Sequence, residues 1–327
     1  MHILVLGAAG MMGRKLTTQL VRQAKLGERP VSKLTLVDVV APDRPDFAGE
    51  VKLHAADLST PGTAEVLVGS RPDLIFHLAA IVSGEAEADF EKGYRINMDA
   101  TRSLFEAIRL EGARRPYYPR VVFTSSIAVF GTPFPDVIDD DHVLTPLTSY
   151  GAQKAIGELL LADYSRRGFF DGIGVRLPTI VIRPGKPNKA ASGFFSGILR
   201  EPLLGQEAVL PVPDTVRHWF ASPRAAVGFL LHAAVMDTAP LGIRRSLNMP
   251  GITATVAEEI AALQRAAGDE AVALIRRERD PVIEQIVAGW PRAFDPERAL
   301  ALGFSGDTSF DEIVQIYVED ELEGARS

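Results

Sequence analysis

The first two dozen residues place the strongest limit on how this chain can fold. A short apolar run from His2 to Leu6 is typical of a strand buried on both faces, and glycines follow at positions 7, 10 and 13. Leucines then recur on one side of a helical pattern. A strand, a glycine turn and a helix in this order predict the start of a parallel α/β sheet.

The glycine turn is also a candidate ligand site. Gly7, Gly10 and Gly13 let a backbone approach a ligand closely, and the following helix offers free N–H groups suited to a pyrophosphate. The spacing is G-x-x-G-x-x-G rather than the commoner G-x-G-x-x-G. A plain tight turn is the alternative. In this context we predict a dinucleotide site that includes Met11 and Met12.

The second apolar run, Leu34 to Val37, ends at Asp38. Dinucleotide-binding folds place an acid here, against the adenosine ribose hydroxyls. A carboxylate repels a 2′-phosphate, and the two valines that follow bring no compensating cation, so we predict NAD rather than NADP. Arg44 is the nearby residue that weakens this choice, and a simple strand-end turn is the alternative role for Asp38.

Other predicted cofactor contacts follow the ends of later strands, because ligands of open parallel sheets bind beyond the carboxyl ends of the strands. Small residues at such positions leave room for a cofactor. The predicted contacts are Asp57, Leu58, Leu78, Ala79, Ala80, Pro178 and Ile180.

Tyr150 and Lys154 are four residues apart in a helical pattern, which puts both side chains on one helix face. A free tyrosine has a pKa of about 10. A cation held close favours the phenolate and lowers that pKa, so Tyr150 could act as a general base. An ordinary helix that carries a Tyr and a Lys is the alternative, because Y-x-x-x-K is a short motif.

The order of elements is β-α repeated, which predicts an α/β protein with a doubly wound parallel (Rossmann) sheet. After Pro178 the sequence pattern changes to one typical of loops and short helices. We predict a dinucleotide-binding domain of residues 1–177, to which 214–249 return. Residues 178–213 and 250–327 then form a smaller C-terminal lobe that binds the substrate.

Composition excludes several classes of protein. A net charge of −7 and a pI near 5.5 argue against nucleic-acid binding. The chain has no cysteine, which fits the cytoplasm, and it shows no signal peptide and no apolar run of membrane-spanning length. The six histidines are scattered without ligand spacing, so we expect no metal site. From the net charge and the length of the apolar runs we expect no nucleic-acid and no membrane partner.

Taken together, the motifs resemble those of the extended short-chain dehydrogenase/reductases. The family pattern has the glycine turn, the acid that ends the second strand, S-S-x-x-V-[YF]-G after the fifth strand, and Y-x-x-x-K. The third motif is here residues 125–131, with Phe130 where the family usually has Tyr. Four matches in the right order are far more specific than any one of them.

The resemblance implies the roles of three residues. Ser126 is implied to be the catalytic hydroxyl and Tyr150 the acid/base. Lys154 is implied to lower the pKa of Tyr150 and to bind the nicotinamide ribose, while Asn97 resembles a helix asparagine that is usually structural. The reaction implied is an NAD-dependent oxidation of a CH–OH group.

Residues 81–87, 177–180 and 183–195 are most similar to the D-erythronate dehydrogenase group of this family. This likeness implies oxidation of the C2 hydroxyl of a four-carbon sugar acid to the 2-oxo acid. Such a substrate needs a carboxylate anchor, which an Arg grips through two hydrogen bonds. A surface charge is the alternative role for each candidate cation. The substrate candidates are Ser83, Ser126, Thr179, Lys186, Asn188 and Arg217.

Two other functions stay open. One is a sugar-nucleotide epimerase or dehydratase, in which NAD is oxidised and reduced again within a turnover. The other is a regulatory NAD-binding protein without catalysis, against which Ser126, Tyr150 and Lys154 argue.

The resemblance also allows a homodimer that forms through helices including the Tyr150–Lys154 helix.

Overall fold

The computed structural model describes residues 1–185 and 191–323. The chain divides into two compact units. The first comprises residues 1–129, 148–176 and 227–247, and the second comprises 130–147, 177–226 and 248–327.

The strands of the described residues are short and alternate with helices along most of the chain. They are β1 (His2–Leu6), β2 (Lys25–Leu26), β3 (Arg29–Pro30), β4 (Lys33–Asp38), β5 (Glu50–Ala55), β6 (Leu74–His77), β7 (Arg120–Ser126), β8 (Asp171–Leu177), β9 (Thr179–Ile180), β10 (Ala208–Leu210), β11 (Arg217–Ala221), β12 (Ser246–Asn248), β13 (Ile252–Thr255) and β14 (Ile275–Arg277).

The helices include two π-helical turns, Tyr94–Asp99 and Val318–Glu323, and two 3₁₀ turns, Ile127–Val129 and Ala239–Leu241. The α-helices are α1 (Met11–Gln23), α2 (Thr63–Gly69), α3 (Ser83–Ala88), α4 (Phe90–Gly93), α5 (Ala100–Arg114), α6 (Ser149–Arg166), α7 (Gly193–Leu203), α8 (Pro223–Val235), α9 (Val256–Ala273), α10 (Pro281–Ala288), α11 (Glu297–Ala301) and α12 (Phe310–Tyr317).

The first unit is built on a seven-stranded sheet in the order β12-β8-β7-β6-β1-β4-β5. β1 pairs in parallel with β4 on one side and with β6 on the other, so Leu4 lies opposite both Thr35 and Ile75. Ile3, Leu4 and Val5 are completely buried, as expected of a strand covered on both faces. The predicted α/β fold with a doubly wound parallel sheet is confirmed.

Aromatic packing fills one side of this sheet. The ring of Phe105 on α5 lies 4.9 Å from that of Phe170 and 6.5 Å from that of Phe123 on β7. All three side chains are buried. This contact holds α5 against the strand that ends at Ser126, and thus supports the end of the sheet where ligands of such folds bind.

The second unit contains a three-stranded sheet in the order β13-β11-β9. Phe220 on β11 packs edge-on against Phe195 and Phe310, at centroid distances of 4.9 and 5.5 Å. These rings join α7 and α12 to the small sheet. Glu259 on α9 is also fully buried in this unit.

The two units differ in extent from the predicted domains. Residues 214–226 were predicted to return to the main sheet, but β11 pairs with β9 and β13 in the small sheet. The stretch that belongs to the first unit is 227–247, and residues 130–147 belong to the second unit. Pairing partners distant in sequence decide this division, and the local pattern of β11 does not reveal them.

The described part of the chain shows neither a membrane-spanning helix nor a metal-binding cluster. None of its helices is both long enough and apolar enough to cross a membrane. Within residues 1–185 and 191–323 there is also no group of three or more His, Asp or Glu side chains that could hold a metal ion.

Candidate active site

The glycine turn between β1 and α1 has no room for side chains. Gly7 has φ of +88°, and a Cβ there would lie 2.8 Å from the Ala79 nitrogen. A Cβ on Gly13 would lie 2.1 Å from the Gly7 carbonyl oxygen. At Gly10 the nearest atom would be 3.4 Å away, and this residue caps α1 without a side-chain hydrogen bond. The first turn of α1, which contains Met11, therefore keeps N–H groups that can bind an anion.

Asp38 ends β4 beside this turn. One of its carboxylate oxygens accepts a hydrogen bond of 2.9 Å from the Ala9 N–H, and the other lies 3.5 Å from the Val40 nitrogen. The carboxylate is thus fixed at the edge of the glycine turn, where a ribose hydroxyl could donate to it. Arg44 donates to the Val51 carbonyl at 3.3 Å, so its guanidinium is used elsewhere.

Asp57 is held by its own neighbours. Its carboxylate accepts from the Ser59 N–H at 2.8 Å and from the Ser59 hydroxyl at 2.7 Å, and Arg95 lies at 3.4 Å. Desolvation raises the pKa of the Asp57 carboxyl, but these hydrogen bonds and the Arg95 charge outweigh it and lower the pKa. Asp57 therefore shapes the turn after β5, which contains the buried Leu58.

The other predicted cofactor contacts lie after β6 and β8. Leu78 and Ala79 are half-buried, Ala80 is exposed, and the Leu78–Ala79 backbone is in close contact with Gly7. Because β1 and β6 are neighbours in the sheet, the turns that follow them meet at the same edge. Pro178 is buried and Ile180 is half-buried in the second unit.

The Tyr150–Lys154 motif lies in the first two turns of α6. Thr148 is the N-cap, since its hydroxyl accepts a hydrogen bond of 3.0 Å from the Gly151 N–H. Ser149 is the first helical residue, and its N–H donates to Glu87 at 2.9 Å. The cap fixes the start of α6 and with it the direction of the Tyr150 side chain.

Ser126 ends β7 close enough to Tyr150 for its hydroxyl to lower the pKa of the phenol. The Ser126 hydroxyl oxygen also accepts a hydrogen bond of 3.2 Å from the Ala128 N–H. Because a hydroxyl has a single proton, that proton remains available for the Tyr150 oxygen or for a substrate oxygen. The structure therefore brings together two of the residues that the sequence predicts to be catalytic.

Lys154 follows Tyr150 by one turn on α6. Its ammonium group donates to the Thr124 carbonyl at 2.8 Å, and it lies 5.0 Å from the Phe123 ring centre and 5.7 Å from that of Tyr150. Lys154 is buried, and desolvation lowers its pKa to about 8, against the charge of Glu158, which raises it. The ammonium is thus directed at the backbone of β7.

The pKa of Tyr150 is accordingly not lowered by Lys154 in this structure. Desolvation raises the pKa of the phenol to about 12, and the hydrogen bond with Ser126 opposes this only in part. The prediction of a lowered Tyr150 pKa is wrong for the protein alone. Spacing on a helix face showed that the two side chains are neighbours, but it could not show that a backbone carbonyl binds the ammonium.

A buried asparagine connects α6 to the loop after β6. Asn97 lies in the π-helical turn before α5, and its side chain accepts from the Ile81 N–H at 2.9 Å and donates to the Ile81 carbonyl at 3.2 Å. It also donates to Gln153 at 2.8 Å, next to Lys154. Asn97 thus has the structural contacts that the resemblance implies.

Sequence reasoning missed Glu158, which lies one helical turn after Lys154. Its buried carboxylate accepts hydrogen bonds from Ser125 and from the guanidinium of Arg176. The spacing along the chain could have indicated Glu158, because positions 150, 154 and 158 share one face of α6. The partner on β8 could not be read from the sequence.

Among the predicted substrate residues, Ser83 begins α3 in the first unit and is half-buried. Thr179 and Arg217 belong to the second unit. Arg217 is exposed at the start of β11. Hydrogen bonds from Thr255 lower the pKa of the Glu258 carboxyl, and the charge of Arg217 lowers it further. Lys186 and Asn188 lie outside the described residues.

The hydroxyl of Thr179 has a defined hydrogen-bond direction. It lies 2.7 Å from Nε2 of His218, whose Nδ1 lies 2.8 Å from the Pro291 carbonyl oxygen. A carbonyl only accepts, so Nδ1 carries a proton. Burial lowers the pKa of His218 to about 4, which leaves Nε2 unprotonated at neutral pH. Thr179 therefore donates its proton to His218 and offers only lone pairs to a ligand.

The model of the NAD dependent epimerase/dehydratase family matches residues 3–223. The chain belongs to this family. Its cofactor is NAD, and the glycine turn with the fixed Asp38 carboxylate fits that cofactor. The resemblance to the extended short-chain dehydrogenase/reductases is confirmed by this match.

Two relatives named D-erythronate dehydrogenase match almost the whole length of this family member. The protein from Cupriavidus necator is 49% identical, over 98% of this chain and 98% of its own length. The protein from Haemophilus influenzae is 41% identical, over 98% of this chain and 100% of its own length. These relatives identify the chain as an NAD-dependent dehydrogenase.

A solved structure is also very similar. The crystal structure of the nucleoside-diphosphate-sugar epimerase from Agrobacterium tumefaciens has a TM-score of 0.97 and 64% sequence identity. It covers 99% of this chain, and this chain covers 95% of it. The names D-erythronate dehydrogenase and nucleoside-diphosphate-sugar epimerase describe different reactions, so the substrate of this chain has to be argued from its residues.

Proposed function

We propose that the chain oxidises the C2 hydroxyl of D-erythronate and releases 2-oxo-D-erythronate. The observation that supports this most directly is that the Ser126 hydroxyl lies close enough to Tyr150 to lower the pKa of its phenol, one helical turn from the buried Lys154. This arrangement can hold an alcohol oxygen and move its proton. The two relatives named D-erythronate dehydrogenase support the choice of substrate.

The glycine turn and Asp38 would hold NAD. The N–H groups at the start of α1 would bind the pyrophosphate, and the Asp38 carboxylate would accept hydrogen bonds from the adenosine ribose. When bound, NAD supplies the acceptor for the hydride of the substrate carbon and brings the positive charge of its oxidised ring. Ser126 and Tyr150 then act on the substrate oxygen.

Ser126 orients the substrate hydroxyl, and Tyr150 accepts its proton. With a pKa of about 12, Tyr150 is protonated in the protein alone and has to lose that proton before it can act as a base. Positive charge near the phenol favours that loss. Within the chain, Lys154 is the cation one turn along α6 from the phenol, with its ammonium 5.7 Å from the Tyr150 ring centre.

For the rest of the acid we propose two of the substrate residues predicted from the sequence, Arg217 and Thr179. We assign the carboxylate to Arg217, because its guanidinium is exposed and can bind both oxygens. We assign a substrate hydroxyl to Thr179. The Thr179 hydroxyl donates its proton to His218, so its oxygen can only accept a hydrogen bond from the substrate. A carboxylate oxygen cannot donate, so Thr179 and Arg217 would recognise different ends of the substrate.

A panel of four- and five-carbon aldonic acids, followed by NADH absorbance, tests the proposal. We expect D-erythronate to give steady NADH formation with a kcat/KM at least about tenfold above the acids of other length or configuration, since one misplaced polar group costs about 1.4 kcal/mol or more. If no acid of the panel forms NADH, the proposed reaction is wrong.

The second candidate function is a sugar-nucleotide epimerase, which the name of the Agrobacterium tumefaciens structure favours. An epimerase returns the hydride to its substrate, so it forms no net NADH. Incubation with nucleoside-diphosphate sugars and chromatography of the products would reveal epimers. Epimer formation without NADH from free acids would favour this candidate over the dehydrogenase.

A further inference from the structure

A buried carboxylate joins the two elements that carry the reacting groups. Glu158 lies on α6, one turn after Lys154 and two turns after Tyr150. Its side chain is 4% exposed. One of its oxygens accepts a hydrogen bond of 2.5 Å from the hydroxyl of Ser125, which immediately precedes Ser126 on β7.

Arg176 on β8 also holds this carboxylate. Its Nε donates to Oε1 of Glu158 at 2.9 Å, and its Nη2 donates to Oε2 at 2.7 Å. Such a two-point contact fixes the plane of the carboxylate as well as its position. Because both side chains are buried, water cannot replace either partner. Glu158 therefore connects α6, β7 and β8.

Lys154 adds a second contact between α6 and β7. It donates to the Thr124 carbonyl at 2.8 Å, one residue before the Ser125 that donates to Glu158. Two successive residues of β7 are thus bound by two residues one turn apart on α6. This pair of contacts sets how the end of β7, with Ser126, is placed along the face of α6.

The same carboxylate also acts on the charge of Lys154. The titratable groups around Lys154 are Tyr150 and Glu158 on α6 and His77 on β6, with Arg176 behind Glu158. Burial lowers the pKa of His77 to about 3, so this ring is neutral. Within the described part of the chain, Glu158 is the carboxylate whose charge raises the pKa of Lys154 against desolvation.

We propose that Glu158 is a positioning residue for the reaction: held by Arg176, it fixes the strand end that carries Ser126 against the helix face of Tyr150 and places its charge one helical turn from Lys154. The proposal rests on the proposed function only for the identity of the reacting groups. Glu158 touches neither the substrate nor the cofactor in this role.

The test compares Glu158→Gln with a matched control, Glu111→Gln. Glu111 on α5 belongs to the same unit, has a side chain that is 9% exposed and forms a salt bridge of 2.7 Å with Arg71. Both variants lose one charge of a largely buried ion pair. We expect Glu158→Gln to lower kcat about tenfold or more, with KM for NAD nearly unchanged, as for other residues that orient a reacting group. Glu111→Gln should keep the wild-type kcat.

A second measurement needs neither substrate nor cofactor. Protein labelled with ¹³C at the lysine Cε is titrated by NMR, and the Lys154 signal is identified by its absence in Lys154→Met. In the wild type we expect this signal to titrate near the pKa of about 8. It should titrate at lower pH in Glu158→Gln and at the wild-type pH in Glu111→Gln. An unshifted signal in Glu158→Gln would overturn the electrostatic part of the proposal.

Ser125→Ala covers the case in which Glu158→Gln does not fold, which circular dichroism would show. This variant removes the hydrogen bond between β7 and Glu158 but leaves the ion pair with Arg176 intact. We expect a several-fold loss of kcat without a shift of the Lys154 titration. A wild-type kcat in Ser125→Ala would overturn the positioning role. Absence of NADH formation by the wild type would instead refute the proposed function and leave the NMR result valid.

Discussion

The backbone N–H of Ala9 donates a hydrogen bond of 2.9 Å to a carboxylate oxygen of Asp38. This bond joins the glycine turn to the end of β4, so a single structural unit contains the N–H groups that we propose for the pyrophosphate and the carboxylate that we propose for the ribose. Asp38→Ala should raise the Kd for NAD about tenfold or more, because hydrogen bonds to a charged group are worth about 1.5–3 kcal/mol. Fluorescence titration with each cofactor measures this.

For NADP the same change should have little effect or tighten binding, because it also removes the repulsion of a 2′-phosphate. Asp43→Ala, a nearby exposed acid, is the control for the general loss of negative charge. Equal weakening of both cofactors by Asp38→Ala would contradict the role assigned to Asp38.

Tyr150→Phe removes the phenol oxygen and keeps the ring. We expect kcat to fall about a hundredfold or more, since general acid–base catalysis contributes about 10²–10⁴-fold, while the Kd for NAD stays within a few-fold. Tyr164→Phe, on the same helix and hydrogen-bonded to Glu106, is the matched control and should remain active. Near-normal turnover in Tyr150→Phe would remove Tyr150 from the mechanism.

Arg217→Ala tests the carboxylate anchor. We expect KM for D-erythronate to rise about tenfold or more, because an Arg–carboxylate contact is among the stronger hydrogen-bonded pairs. The corresponding uncharged amide should be affected much less. Arg277→Ala, which removes another exposed Arg of the second unit, is the control. The assignment fails if acid and amide suffer equally.

Glu259 predicts a pH dependence of stability. Among the residues that the structure describes, its carboxylate oxygens find no hydrogen-bond partner, and burial raises the pKa of this carboxyl well above 4.5. The unfolded chain loses this proton near pH 4.5, whereas the folded protein keeps it to higher pH. The free energy of unfolding therefore falls as the pH rises from about 4.5 through the folded-state pKa.

Glu259→Gln cannot ionise and should remove this loss. We expect its Tm relative to wild type to improve steadily between pH 4.5 and pH 8, as followed by thermal denaturation with circular dichroism. Glu270→Gln changes an exposed acid of the same helix and should show no such trend. A constant difference in Tm between wild type and Glu259→Gln across this range would show that Glu259 ionises normally.

Local patterns predicted the parts of the fold that depend on local forces. The run His2–Leu6 is β1 residue for residue, and the acid at position 38 ends β4 as expected. Y-x-x-x-K also placed Tyr150 and Lys154 on one helix, because a spacing of four residues is a property of the α-helix itself.

Contacts between distant residues set the features that the sequence did not reveal. The raised pKa of Tyr150 depends on how much protein surrounds the phenol, and the direction of Lys154 depends on a carbonyl thirty residues earlier in the chain. Arg176 is recognisable as the partner of Glu158 only when β8 lies beside β7. Neither charge nor periodicity along the chain contains this information.

The π-helical turn Tyr94–Asp99 limits which changes of length the chain can tolerate. A π turn accommodates one residue more than an α turn, and each residue of an α-helix rotates the chain by about 100°. Loss of one residue between positions 94 and 99 would therefore turn Asn97 away from Ile81 and Gln153, or else rotate the whole of α5 against the sheet. Substitutions here change single side chains, whereas a one-residue deletion would change the register of an entire helix, so natural variants of this segment should keep its length even where they change its sequence.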